Sequence, residues 1–210
     1  MTDSVALPIP MFPLGSVLFP YTMLSLHVFE PRYRALVRDT LRHGQEFGVV
    51  LIERGAEVGG GDTRFGVGTV ARIVEAAEFP DGRWALACVG TRRVRVSVWL
   101  PDDPYPMALV ESLPETTSGA DGPDLLARAE HEVRRALALA GELEEAPAPA
   151  TVELDADPLV AAFQLAAVAP LGPVDRQRLL EEDDPGSRLR LLADLAQDAS
   201  ALLAFRLSGG

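Results

Sequence analysis

Residues 10–41 read PMFPLGSVLFPYTMLSLHVFEPRYRALVRDTL, and Pro10, Pro13, Pro20 and Pro31 punctuate them. Proline fixes its own φ and pushes the preceding residue into an extended conformation. The turns of this stretch are therefore set by covalent geometry. Met11, Phe12, Leu14, Val17, Leu18 and Phe19 crowd among these prolines. From 23 to 29, Leu24, Leu26 and Val28 alternate with Ser25, His27 and Phe29, which is the period of a strand. Pro31 then stands where a first helical position tolerates proline. Tyr33, Leu36, Val37, Thr40 and Leu41 follow at helical spacing, and Gly44 suits the residue just past the helix end.

Residues 5–12 form a strand candidate that Pro8 and Pro10 confine to a sheet edge or to its ends. FGVVLI at 47–52 is a continuous apolar strand, buried on both faces. Residues 55–62 hold four glycines without periodicity and read as a flexible loop. A long strand at 66–79, bent at Gly68, leads to the hairpin turn Pro80-Asp81-Gly82. The return strand starts at Arg83 and puts Trp84, Leu86 and Cys88 on one face. A bulge is expected at Gly90-Thr91. Beyond it Val94, Val96 and Val98 alternate with Arg93, Arg95 and Ser97. A loop at 101–106 and a strand at 107–113 complete an α+β unit: six strands with one inserted helix, predicting a compact, partly closed sheet.

Pro114 marks a change of character. The predicted β domain is 1–114, followed by a polar linker at 115–120 and a helical domain at 121–210. In its first helix Leu125, Ala129, Val133, Ala136, Leu137 and Ala140 form one face, with Gly141 as the stop. ELEEAPAPA at 142–150 reads as an acidic, mobile loop. Asp157-Pro158, Gly172-Pro173 and Asp184-Pro185 each open a further helix. The last carries Leu189, Leu192, Ala196, Ala199 and Leu203 on one face.

At 210 residues and 48% hydrophobic content the chain can bury a substantial core. One cysteine, Cys88, and an amino terminus without a basic or apolar signal segment predict a cytoplasmic protein. The net charge of −12 is uneven, with 11 Arg against 13 acidic residues in 1–114 and 8 against 18 in 115–210. Such a balance disfavours nucleic acid and anionic membrane as partners. All 19 basic residues are Arg, and the absence of lysine excludes phosphate-loop ATP hydrolysis, Ser–Lys peptidase chemistry and Schiff-base catalysis.

No other chemistry has a motif behind it. His27, His43 and His131 fall on different predicted elements, and Cys88 on a fourth, so no metal-ligand spacing exists. His27 and Cys88 read as a strand side chain and a buried small hydrophobe. Gly59-Gly60-Gly61 lacks a phosphate-loop pattern. Glu181, Glu182, Asp183 and Asp184 lack the spaced ligands of a Ca²⁺ loop. Arg92, Arg93 and Arg95 form the one basic row; alternation puts Arg93 and Arg95 on a common face, paired with carboxylates such as Glu75 or Glu78.

The stretch LPIPMFPLGSVLFPYTMLSLHVFEPRYRALV, followed by FGVVLI, GVGTVARIVEAAEFPDGRWAL and VGTRRVRV, resembles the N-terminal domain of Lon proteases. The helical DPLVAAFQLAAVAPLGPVDRQRLLEEDDPGSRLRLL is similar to that family as well. The resemblance implies a PUA-like, partly closed β-barrel followed by a helical bundle that recognises substrates. The chain stops at Gly210 with neither an ATPase nor a peptidase domain, which predicts a stand-alone, non-catalytic member. It lacks the cysteine pairs of zinc-carrying relatives, so neither metal nor other cofactor is expected. The expected partners are unfolded or apolar polypeptide segments and a full-length protease; homodimerisation is left open. Phe19, Tyr21 and Met23 are the candidate polypeptide contacts, and Glu30, Pro31, Arg32 and Tyr33 the structural entry to the first helix. The alternative is a PUA-like RNA-binding module using Arg92, Arg93 and Arg95.

Overall fold

The computed structural model describes residues 7–54, 63–116 and 122–209. It divides into two compact units, 1–114 and 115–210. The first contains β1 (Leu7–Leu14), β2 (Met23–Val28), α1 (Pro31–Arg42), β3 (Glu46–Arg54), β4 (Thr63–Glu78), β5 (Trp84–Leu100) and β6 (Met107–Ser112). Its strand order is β2-β5-β4-β3-β1-β6, and β5 also pairs with β6. That pairing closes β5, β4, β3, β1 and β6 into a barrel and leaves β2 as an appended terminal strand. The α+β expectation of a partly closed, PUA-like sheet with one inserted helix is met.

The proline-rich β1 lies between two strands rather than at an edge, and its stagger explains how. Leu7 to Pro10 pair antiparallel with β6, while Met11 to Leu14 pair parallel with β3. The Met11 amide donates to the Pro106 carbonyl at 2.8 Å. Alternation then turns Ile9 towards β6 and leaves Pro8 and Pro10, which have no N–H, at positions that need none.

The pleat separates two apolar layers. Phe12, Val49 and Ala71 pack with Tyr33, Leu36 and Val37 of α1. Their neighbours Met11, Val50 and Val70 pack with Val94, Ala108 and Val110 in the barrel interior. FGVVLI is thus buried on both faces because each face has its own core. The long β5 carries its bulge as read: Val70 pairs with Arg92 but Ala71 with Gly90, leaving Thr91 as the extra residue. The glycine-rich segment 55–62, with Gly59 to Gly61, lies outside the described residues.

The second unit contains α2 (Gly122–Glu142), α3 (Pro158–Val168), α4 (Pro173–Glu181) and α5 (Pro185–Leu207). Asp157 caps α3 by accepting from the Leu159 amide at 2.8 Å, and Asp184 caps α5 by accepting from Ser187 at 2.6 Å. Gly141 does not end α2, which runs on to Glu142; the left-handed residue after it is Glu144, φ 59°. The acidic segment beyond, expected to be mobile, is tethered. Arg134 donates to the carbonyls of Ala150 and, at 3.0 Å, Val152, and Arg206 grips Glu145 with two 2.7 Å bonds. Arg188 is 2% exposed, 3.3 Å from Glu115 and stacked 4.5 Å from the Phe163 ring.

Candidate functional site

The turn between β1 and β2 is pinned to the barrel by its backbone. The Tyr21 amide donates to the Gly90 carbonyl at 2.7 Å, and the Gly90 amide donates to Thr22 at 2.9 Å. Thr22 Oγ1 donates to the Phe19 carbonyl at 2.7 Å, and Thr69 Oγ1 to the Leu18 carbonyl at 2.6 Å. A Cβ on Gly90 would come within 2.2 Å of the Phe19 carbonyl oxygen, so this close approach requires glycine. Tyr21 sits at φ 63°. Pro20 and these bonds hold the turn in one shape.

That shape separates the three predicted contact residues. Phe19 is 1% exposed and belongs to the core, which corrects its assignment to the surface. Pro20 turns the chain directly after it, and the side chains that follow emerge. Tyr21 is 39% and Met23 63% exposed. Phe29, the residue directly after Val28, is also on the surface. Reading the strand from its apolar phase passes over Phe29, although a large aromatic on the polar phase with Ser25 and His27 is itself a signal.

The helix entry is compact. The Arg32 guanidinium donates to Glu30 at 3.1 Å and lies 4.4 Å from the Tyr33 ring centroid. Tyr33 stacks on Phe12 at 4.1 Å with an interplanar angle of 13°. Pro31 occupies the first helical turn, and Glu30 precedes it with extended backbone. Beside this entry lie two cavities. One of about 190 Å³ has Phe12, Leu14, Leu26, Phe29 and Tyr33 in its walls. The other, about 340 Å³, is lined by His27, Val28, Phe29, Phe79, Arg83 and Trp84. Phe79, Arg83 and Trp84 come from the β4–β5 hairpin and join the site only in three dimensions.

The basic row does not exist as a surface. Arg93 is fully buried, whereas Arg92 pairs with Glu46 at 2.8 Å and Arg95 is exposed. Arg93 and Arg95 pair in continuous register with Thr69 and Val67 and so share a face opposite Val94, but Arg93 is covered there. Glu78 pairs instead with Arg38 at 3.4 Å. The burial of Arg93 and the pairing of Arg92 remove the exposed row on which the RNA-binding alternative rested. Burial pushes the Cys88 thiol up to about 11, so it stays protonated and poorly nucleophilic. Among the described residues no group of His, Cys, Asp or Glu could hold a metal ion, and no helix is long and apolar enough to cross a membrane.

Residues 8–198 match the family model of the ATP-dependent protease La (LON) substrate-binding domain. The chain is 30% identical over 197 residues to a Lon protease of Anaeromyxobacter dehalogenans, covering 92% of this chain and 23% of that protein. It is 31% identical over 191 residues to Lon protease 2 of Myxococcus xanthus, covering 89% and 23%. It thus spans about a quarter of these relatives' length. A crystal structure of a Lon N-terminal domain protein from Xanthomonas campestris superimposes with a TM-score of 0.63 at 31% identity, covering 90% of this chain and 98% of that one. The N-terminal domain of a Mycobacterium avium complex Lon protease shares the fold at 17% identity, with a TM-score of 0.65 and coverage of 91% and 98%.

Proposed function

Because the chain belongs to the family of ATP-dependent protease La (LON) substrate-binding domains, we propose that it is a non-catalytic module that binds exposed apolar segments of unfolded polypeptides. It would serve protein quality control as an adaptor or regulator, with a full-length protease as partner. The observation that carries this reading is the pinned turn that holds Tyr21 and Met23 in solvent, with Met23 63% exposed. Large apolar side chains kept in water on a fixed backbone make an adaptable contact surface, and methionine adapts best. The lack of lysine supports the non-catalytic role. A single buried cysteine suits the reducing cytoplasm, where we place the protein.

The test is a titration with a permanently unfolded model protein, reduced and carboxymethylated, followed by fluorescence anisotropy. Saturable binding is expected. Met23→Asp should weaken it about tenfold, the scale of one apolar side chain's burial. Lack of saturable binding overturns the reading.

A further inference from the structure

The strand β2 ends the sheet, with β5 on one side only. Its ladder is regular: Leu24 faces Cys88, Leu26 faces Leu86 and Val28 faces Trp84, in continuous register. The Gly90 amide bonds to the Thr22 carbonyl, so in antiparallel alternation Leu24, Leu26 and Val28 exchange bonds with β5. The N–H and C=O groups of Met23, Ser25 and His27 therefore point to the other side. Among the described residues no strand pairs with that side.

Open edges of this kind are ordinarily blunted by a proline, a charged side chain or a bulge. Residues 23–29 contain no proline, no Arg and no carboxylate, and the β2–β5 ladder has no bulge. Instead, both cavities lie at the end of this strand and share His27, Val28 and Phe29. Trp84, nine-tenths buried, stands in the wall of the larger one, and its indole N–H has no acceptor among the described residues.

We propose that an extended, uncharged apolar polypeptide segment adds to β2 as a further strand. Its backbone pairs with Met23, Ser25 and His27, and its alternate side chains enter the two cavities flanking Phe29. The backbone groups on that edge recur every second residue, about 7 Å apart. An extended peptide matches this spacing with donors and acceptors of its own. Charge argues against a second copy of the chain, because the net charge of −12 repels both another copy and acidic segments. The inference rests on the polypeptide-binding reading and adds its mode.

The test uses two peptides of one sequence, neutral and alternating threonine with valine and phenylalanine. One has free backbone amides; the other is N-methylated at alternate amides, keeping its side chains but unable to join a ladder. Binding to the full chain is read by tryptophan fluorescence and by calorimetry. The free peptide should bind at least about tenfold more tightly than the methylated one. Ser25→Pro, which removes one outward N–H and spares the β5 ladder, should weaken the free peptide similarly, and Ser25→Ala should not. Equal affinity for both peptides overturns strand addition while leaving polypeptide binding intact. Failure of either peptide to bind, with the unfolded model protein also unbound, defeats the reading beneath it. A dimer of the free protein that Ser25→Pro abolishes would make the occupant a second copy and overturn the proposal.

Discussion

Phe19 and Tyr21 flank the same proline, yet one fills the core and the other meets water. Truncating Phe19 to Ala should cost about 3–5 kcal/mol in denaturant unfolding, the range for large buried aromatics. Met23→Ala should stay within about 0.5 kcal/mol, because that side chain packs little. Equal costs would refute the division between them. Glycines give a second contrast. Gly90→Ala must displace the Phe19 carbonyl, whereas a Cβ on Gly66 meets nothing within 4 Å. Gly90→Ala should therefore lower the melting temperature clearly and Gly66→Ala leave it level or slightly higher. Neither difference is written locally in the sequence. Both depend on β5 folding back against the turn, a contact between residues about seventy positions apart, and local periodicity does not carry that information.

Elements were more legible than residues, and for a definite reason. Helix starts are set by a proline at the first position, with a side-chain cap as well at α3 and α5, so α1, α3, α4 and α5 begin where their X-Pro pairs stand. Strand phase in β5 is legible on both sides of its bulge: Val94 and Val96 face the interior and Arg93 shares the other face with Arg95. The burial of Arg93 is not legible, because what covers that face is not written in the strand. Helix ends depend on a single φ. Gly141 could have stopped α2, but the left-handed position fell on Glu144, where a Cβ is strained. Glu144→Gly should accordingly stabilise the helical unit by about 0.5–1 kcal/mol, measured by the helical signal in urea. A destabilising result would mean that the side chain does more than occupy the turn. The cavities beside Phe29 were the least legible part, since the β4–β5 hairpin supplies half of one of them.

At the scale of the whole molecule the two units should respond differently to alkali. Burial raises the Cys88 thiol from 9.0 to about 11. Burial, and then the 3.0 Å bond to Asp39, raises the Tyr105 phenol from 10.0 to about 12. Both groups are acids whose neutral form the fold favours. Their contribution is therefore complete below the ordinary values and is lost as pH rises through the raised ones. Both lie in 1–114, together with both tryptophans, Trp84 and Trp99, while most of the helix lies in 115–210. Between about pH 9 and pH 12 tryptophan fluorescence should report loss of the barrel before helical circular dichroism declines. Tyr105→Phe removes one of the two titrating groups and should flatten the fluorescence limb, at about 1 kcal/mol of stability near neutrality for the lost hydrogen bond. If the helical signal fell first, or both fell together in Tyr105→Phe as in the parent, the alkaline weakness would not reside in the barrel.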